Sequence, residues 1–530
     1  MHYDLKSFDV NYSCFSQMPD DGFNGKEEFN GPPGKQHYKL LSHLSTLFNN
    51  STIIDIGTHR GSSALALSYN ESNTVYTFDI VDNVKNPLVL ERKNIRRSFD
   101  NLFEKPDAWK DTLLSAAFIV LDVDPHNGHM EIDFYNYLKS IGYNGFVVCD
   151  DIWYFKEMRD NFWYKIPYEE RYDVTDVGHW SGTGIFTFNR EITFPKPDNT
   201  NWTLVTAYFD LTKCEDASSE IIKRDANYYK EHAISTMCLP YNLIVYCEES
   251  NLEEIKAMRP DYLKERTRYI VRNFDDFQIN SQTFADFRRK IHENRVKFPY
   301  RFDNRNTASY YLFCVSRYIM LKETIHTNTF NSTHFAWINF CIERMGHKNV
   351  QRLDEALSVK RDKFSTCYID YIPEDLVKNT AEYYKWGRCG MCSGFFTGNA
   401  EYMWKVCDKI EAKFLHYLEE GYGHADEQLY SPVYFENKDL FEHYYGDYQQ
   451  MITNYVYIYE APEPPIYNFI RNSYKYKDYA KCKEACEFVW RSIQGGKCVC
   501  KKTFLDELES MRSNLRVVNT NDKPILLFMN

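Results

Sequence analysis

No run of about eighteen consecutive apolar residues occurs anywhere in the 530-residue chain, so no segment is expected to span a membrane. The opening residues, Met1-His2-Tyr3-Asp4-Leu5-Lys6, lack the apolar centre of a secretory leader. The expected location is therefore the cytoplasm, of a bacterium or of a host cell if the chain is viral. Positive charge is scarce. Sixty-three Lys and Arg against 75 Asp and Glu leave a net charge of -12, which excludes the basic face a nucleic-acid backbone demands. Cysteine pairing is missing too. The 15 cysteines are odd in number and scattered through apolar segments, as at Cys149, Cys247 and Cys314, and read as reduced, buried thiols. Cys389-Gly390-Met391-Cys392 has zinc-like spacing but no second pair nearby, so no metal is assigned to it. The sequons at Asn50, Asn70, Asn201 and Asn331 are expected to stay unmodified in a reducing compartment. No internal repeat is visible.

What is abundant is aromatic surface: 42 Tyr and 37 Phe, a usual lining for sugar sites. The length is too great for one core and predicts two to three domains. Residues 1 to 34 are polar and rich in Asn, Gly and Pro, and read as an irregular arm. From Lys35 the spacing of Tyr38, Leu41, Leu44 and Leu47 predicts an amphipathic helix. A first α/β unit is expected over 35–196, closed by strands within 172–190 around a Trp180–Gly184 turn, and ended by Pro195, Pro197 and Asp198. The alternation restarts with a strand at Thr203–Asp210, a helix near Arg224–Met237 and a strand at Asn242–Cys247. This second α/β unit is expected over 200–461. From 462 to 530 a helical extension follows, with two amphipathic helices' worth of pattern in Ser473–Ile493.

The stretch Thr52–Leu67 reads as a buried strand, Ile53–Ile56, turning through glycines into a helix near Ser62 and Ser63. Gly57 allows the tight turn, and Gly61 is expected to let a ligand approach the helix N-terminus. A second strand, Val75–Asp79, ends in a carboxylate placed to hold ribose hydroxyls. A plain tight turn is one reading. A dinucleotide fingerprint needs a middle glycine, which is absent between Gly57 and Gly61. The third reading is S-adenosylmethionine. Asp55-x-Gly57-x-x-x-Gly61-x-Ser63 with Asp79 resembles the first two motifs of class I methyltransferases, most of all the metal-dependent O-methyltransferases and cephalosporin-hydroxylase-like proteins. The resemblance implies cofactor contacts from Asp55, Gly57, Thr58, Gly61, Ser62, Ser63 and Asp79.

Asp122 ends a third predicted strand, Ala117–Asp122, and Asp150 and Asp151 end a fourth, Gly145–Asp151. In a parallel sheet these ends share one edge, where three carboxylates would repel unless a cation sat among them, and oxygen ligation suits Mg²⁺. The same resemblance maps three metal ligands onto Asp122, Asp150 and Asp151. Capping of helices or turns is the alternative reading. For the base, Asp122-Val123-Asp124-Pro125-His126 offers His126 with Asp124 beside it. Pro125 stands where catechol-type relatives carry a lysine, and His179 is a fallback base. A hydroxylase-like iron site would want two His and a carboxylate.

Residues from about 200 to 460 resemble the HtrL/YibB-like family, related to GT-A glycosyltransferases. The carrying segments are Val205–Asp210, Phe335–Ile342, Ser393–Gly398 and His424-Ala425-Asp426-Glu427-Gln428. The resemblance implies a nucleotide-sugar donor, held with a divalent ion such as Mn²⁺ where the family usually has Trp-Ile-Asp. This chain has Trp337-Ile338-Asn339, and Asn supplies no charge. Asp426 and Glu427 remain as acidic candidates for activating an acceptor, with a helix N-cap as the alternative.

The expectation is thus a Rossmann-like methyltransferase sheet, a GT-A-like α/β domain and a helical tail, acting on a sugar or glycan acceptor. Its rival is a methyltransferase whose second domain only docks glycans.

Overall fold

The computed structural model describes residues 2, 3, 5, 37–196, 201–298, 304–385, 387–423, 425–459 and 464–518. Most of the arm expected over 1–34, and Pro197, Asp198 and His424, lie outside the described residues. Of the arm, His2 bridges to Thr193, Tyr3 packs on Phe194 with ring centres 5.6 Å apart, and Leu5 is buried. The chain divides into two compact units, 1–196 and 197–530. Among the described residues no helix is long and apolar enough to cross a membrane.

The first unit is a seven-stranded sheet. Its strands are β1 (Thr52–Ile56), β2 (Thr74–Phe78), β3 (Ile95–Ser98), β4 (Ala116–Leu121), β5 (Phe146–Cys149), β6 (Arg171–Asp173) and β7 (Gly184–Thr187). They lie in the order β3-β2-β1-β4-β5-β7-β6. All pairings are parallel except those of β7, which runs against both β5 and β6. This is a Rossmann-like sheet with a reversed strand near one edge. The central strands are buried on both faces, which is why they read as unbroken apolar runs rather than alternating ones. Helix His37–Thr46 turns Leu40, Leu41 and Leu44 into the same core as Leu65, Phe118 and Phe146. The charged stretch Glu91–Arg97 spans the end of helix Pro87–Glu91 and the start of β3. Pro87 opens that helix behind an Asn86 side chain that accepts from Leu88 N, a start signal stronger than the charge pattern after it.

The second unit holds β8 (Trp202–Tyr208), β9 (Asn242–Cys247), β10 (Thr267–Val271), a small hairpin of β11 (Gln278–Ile279) and β12 (Gln282–Thr283), β13 (His334–Ile338), β14 (Phe364–Tyr368), β15 (Met391–Asn399) and β16 (Phe441–Tyr445). Its seven-stranded sheet runs β10-β9-β8-β13-β15-β14-β16, with only β15 reversed against its neighbours. The single helix expected near Arg224–Met237 is two short ones, Ala226–Glu231 and Ile234–Met237. After the second of them comes Arg259, a buried side chain whose guanidinium donates to the carbonyls of Met237, Leu239 and Tyr241. Those carbonyls belong to the segment that leaves the second helix, and Arg259 fixes its path into β9. Beyond 464 the chain forms helices Pro464–Lys475, Tyr479–Gln494 and Lys502–Val518, the first two separated at Lys477, whose φ is 62°.

Candidate functional site

In both units the carboxyl ends of the parallel strands form the edge where open α/β sheets receive ligands. The first unit builds that edge from β1, β2, β4 and β5. Gly57 follows β1 with φ 102°, and a Cβ there would lie 1.6 Å from the carbonyl oxygen of Asp122. Only glycine lets the β1 turn pass so close to the end of β4. Gly61, φ 90°, is demanded by packing instead: a Cβ would meet the Val89 side chain at 2.9 Å. Asp55 is buried within β1 and accepts from Ser63 Oγ at 3.0 Å and Thr77 Oγ1 at 2.6 Å. Burial raises its carboxyl to about 7 despite those two donors. Asp55 and Ser63 therefore brace the turn from behind, together with Thr58, whose hydroxyl meets that of Thr77. Ser62 is half-buried at the first position of helix Ser62–Leu67. Asp79 follows β2 and accepts from His59 N at 2.7 Å, so its carboxylate stands directly beside the glycine turn with lone pairs to spare.

Asp122 follows β4, and Asp150 and Asp151 follow β5. Their ligating atoms fall into two groups. Asp122, His126 and Asp151 form one, and Asp150, Asp151 and His179 the other, with atoms within 4.8 Å of one another in each. Asp151 is common to both. It stands in the left-handed region, φ 63°, as does His126, φ 50°. His126 reaches Asp124 through Nε2 at 3.2 Å and Asp151 through Nδ1 at 3.4 Å, while its ring lies flat on Phe155, centres 4.8 Å apart. Asp124 itself is almost fully exposed. His179 Nδ1 lies 2.9 Å from Asp150 Oδ2 and 2.7 Å from Ser181 Oγ.

The charges at this edge are unequal. Burial works against the Asp150 carboxylate, yet His179 and His37 together hold it down at about 2. Asp122 is pushed well above the usual carboxylate range by the protein crowded around it and by the charges of Asp150 and Asp151, although solvent still reaches it. Asp151 is raised by burial and by Asp150. A divalent cation would relieve all three. Carboxylate oxygens suit Mg²⁺, and the two imidazoles widen the donor set toward Mn²⁺ and other transition ions. The sequence reading passed over His37 and Ser181; both come near Asp150 only through folding.

In the second unit the matching edge carries a cleft between the ends of β8 and β13, with about 570 Å³ of unfilled space, part of it open to solvent. Tyr208, Asn339 and Arg317 reach it from three different elements. Asn339 is committed: its Oδ1 accepts from Trp337 Nε1 at 3.1 Å. Arg317, on helix Ala308–Thr327, is 3 % exposed and binds Asp426 Oδ2 at 3.0 Å, Ser393 Oγ at 2.7 Å and the Ser393 carbonyl at 3.1 Å. Asp426 precedes helix Glu427–Glu436 but makes no side-chain cap, so the capping reading gives way to an ion pair buried behind the cleft. Ser393 Oγ also donates to Glu427 Oε1 at 3.1 Å. Burial and the Asp426 charge raise the Glu427 carboxyl to about 8.

Residues 200–455 match the family model described as "Bacterial protein of unknown function (HtrL_YibB)". This stretch carries the HtrL_YibB family-model match and is referred to below as the HtrL_YibB domain. It starts just before β8, ends beyond β16 and includes Arg317, Asn339, Asp426 and Glu427. No curated protein matches the chain. Among solved structures, an O-methyltransferase from Bacillus cereus in complex with SAH is similar to the N-terminal region, with 12% identity, 33% of this chain and 94% of that one covered, and a TM-score of 0.25. Mouse xyloside xylosyltransferase 1, in its apo form, is 12% identical over 46% of this chain and 84% of its own, with a TM-score of 0.25. A fibrillarin/Nop5p complex is 13% identical over 29% of this chain and 81% of that one, with a TM-score of 0.22.

Proposed function

We propose that the first unit is an S-adenosylmethionine-dependent O-methyltransferase and that the HtrL_YibB domain transfers a sugar from a nucleotide-sugar donor, both on a sugar or glycan acceptor. The observation that supports the first half is the meeting, at one sheet edge, of the Gly57 turn, Asp79, and the paired groups around Asp151. The site fits both absent groups. The glycine turn stands beside Asp79, whose carboxylate offers acceptors for ribose hydroxyls, and the carboxylates that follow β4 and β5 are of a kind that a divalent cation neutralises.

S-adenosylmethionine supplies an electrophilic methyl group on a sulfonium. The residues of this chain do the rest. Asp79 and the turn Gly57–Gly61 hold the cofactor, with Asp55, Thr58, Ser62 and Ser63 setting the turn's shape. Asp151, common to both groups, would hold the cation with Asp122 on one side and Asp150 on the other, and an ion there, Mg²⁺ by its oxygen ligation, would make a bound acceptor hydroxyl more acidic. His126 takes the hydroxyl proton at Nδ1, on its Asp151 side, and gives up its other proton at Nε2 to exposed Asp124 and thence to solvent. The acceptor oxygen, relieved of its proton, would then be the nucleophile for that methyl group. In the HtrL_YibB domain, Glu427 is the group that can exchange a proton with an acceptor near neutral pH, and Asp426 positions Arg317 at the cleft wall.

Calorimetry of the full chain against S-adenosylmethionine, and methyl transfer to a panel of sugar acceptors, test the first half. Absence of cofactor binding would remove it. The second reading, a docking module in place of a transferase, is favoured by one observation, the uncharged Asn339 with its amide oxygen engaged. A panel of nucleotide sugars assayed for hydrolysis with and without Mn²⁺ separates the two.

A further inference from the structure

The cleft of the HtrL_YibB domain does not fit the divalent ion that its resemblance to GT-A enzymes implies. No carboxylate lines it, and the one oxygen at the usual metal position, Asn339 Oδ1, already accepts from Trp337. Three guanidinium groups line it instead: Arg224, Arg317 and Arg344. Arg317 is spent on Asp426. The other two are not ion-paired among the described residues. Arg344 touches Cys341 Sγ at 3.8 Å and stands 5.8 Å from the centre of the Tyr228 ring. Glu220, one turn before Arg224, is paired with Lys223 at 2.7 Å. Burial disfavours a charge on Arg344, yet the surrounding thiol and phenol groups keep it firmly protonated. A further observation points to a ligand. Tyr208 is 3 % exposed, lines the cleft, and its buried hydroxyl has no hydrogen-bond partner among the described residues. A buried hydroxyl left without a partner costs free energy that a bound acceptor would return.

We infer that this cleft binds the diphosphate of a nucleotide through Arg224 and Arg344, with the Tyr208 hydroxyl as a further donor, and without a divalent cation. Guanidinium groups match phosphate oxygens with two parallel hydrogen bonds and keep their charge at any relevant pH, so they can do the neutralising that a metal does elsewhere. The inference rests on the nucleotide-sugar reading of the domain and names how the donor is held.

The test is calorimetry of the full chain with UDP, GDP, ADP and CDP, each in EDTA and in Mn²⁺, with the matching monophosphates and inorganic pyrophosphate as controls. The expected result is that at least one diphosphate binds in EDTA within about threefold of its affinity in Mn²⁺, and that its monophosphate binds at least about tenfold more weakly. Arg224→Gln and Arg344→Gln should each weaken binding by about tenfold or more, and Arg344→Lys should recover part of the loss. Thermal unfolding of each variant separates lost binding from lost folding. Binding that requires Mn²⁺ and survives both Gln variants overturns the inference while leaving the transferase reading standing. No binding of any nucleotide under either condition overturns both, and the docking reading takes their place.

Discussion

The two sheets present the same kind of edge and opposite charge. At the first, Asp122, Asp150 and Asp151 gather and only imidazoles offset them. At the second, Arg224 and Arg344 reach a cleft that no carboxylate lines. The strands below are alike: short, parallel, buried on both faces. Backbone architecture therefore supplies a position, and the residues that reach it supply its sign: directly after the strands in the first unit, from later turns in the second. An acidic edge asks for a cation and whatever that cation can hold; a guanidinium-lined cleft asks for an anion directly.

The comparison breaks most sharply under chelation. EDTA should lower methyl transfer by at least about 100-fold, more than the loss of an outer-sphere partner costs, while diphosphate binding in the HtrL_YibB domain stays within about threefold. Equal sensitivity of the two activities would show that the edges are not chemically distinct. Next in size is Arg317→Met. It leaves Asp426 as an uncompensated buried charge and should destabilise the domain by about 3–5 kcal/mol, measured by urea unfolding. Asp79→Ala should weaken S-adenosylmethionine binding by about 1–3 kcal/mol, because two ribose hydroxyls lose their acceptor; calorimetry that finds no change removes Asp79 from the cofactor site.

Asn339→Asp sharpens the comparison by importing an acid into the basic cleft. Diphosphate binding in EDTA should fall by about threefold to tenfold, and Mn²⁺ should now restore it, since an anionic oxygen binds a hard cation better than an amide does. The last comparison concerns Glu427. Its folded carboxyl titrates at about 8, against an ordinary 4.5, so the folded state holds a proton that the unfolded state releases between those values. That contribution is fully present below about pH 4.5 and is lost as pH rises through 8. Glu427→Gln, which mimics the protonated form, should flatten the fall in unfolding midpoint between pH 5 and 8.5. An unchanged slope would mean that Glu427 does not carry the proton.

Much of this could be read from the chain before folding. Buried parallel strands announce themselves as short apolar runs, and a carboxylate closing such a run is placed at the edge by the strand itself; Asp79, Asp122 and Asp150 are of this kind. The cleft of the second unit was not legible. Arg317 and Asp426 are more than a hundred positions apart and meet only when helix Ala308–Thr327 brings Arg317 to Ser393 of β15 and to the start of helix Glu427–Glu436. Periodicity sees Arg317 as a polar interruption in an apolar helix, and Asp426 as an ordinary helix start. His179 joins Asp150 across a turn of similar obscurity, held by Gly182 at φ 113°. Local pattern locates groups that a strand end or a turn fixes by itself. It is silent about groups whose meaning comes from a partner in another element.

The contact of Gly57 with the carbonyl of Asp122 ties the two halves of the first site together. The turn that would face the methyl donor and the strand end that would face the metal share a surface with no room for one carbon atom between them. Neither can be displaced without pushing the other. A tilt of the turn becomes a shift of Asp122, and a change of ion at the carboxylates is felt at the turn. On the proposed reading, the distance between donor and acceptor would be a fixed dimension of the scaffold, set by one missing side chain, and the acceptor would have to come to that gauge.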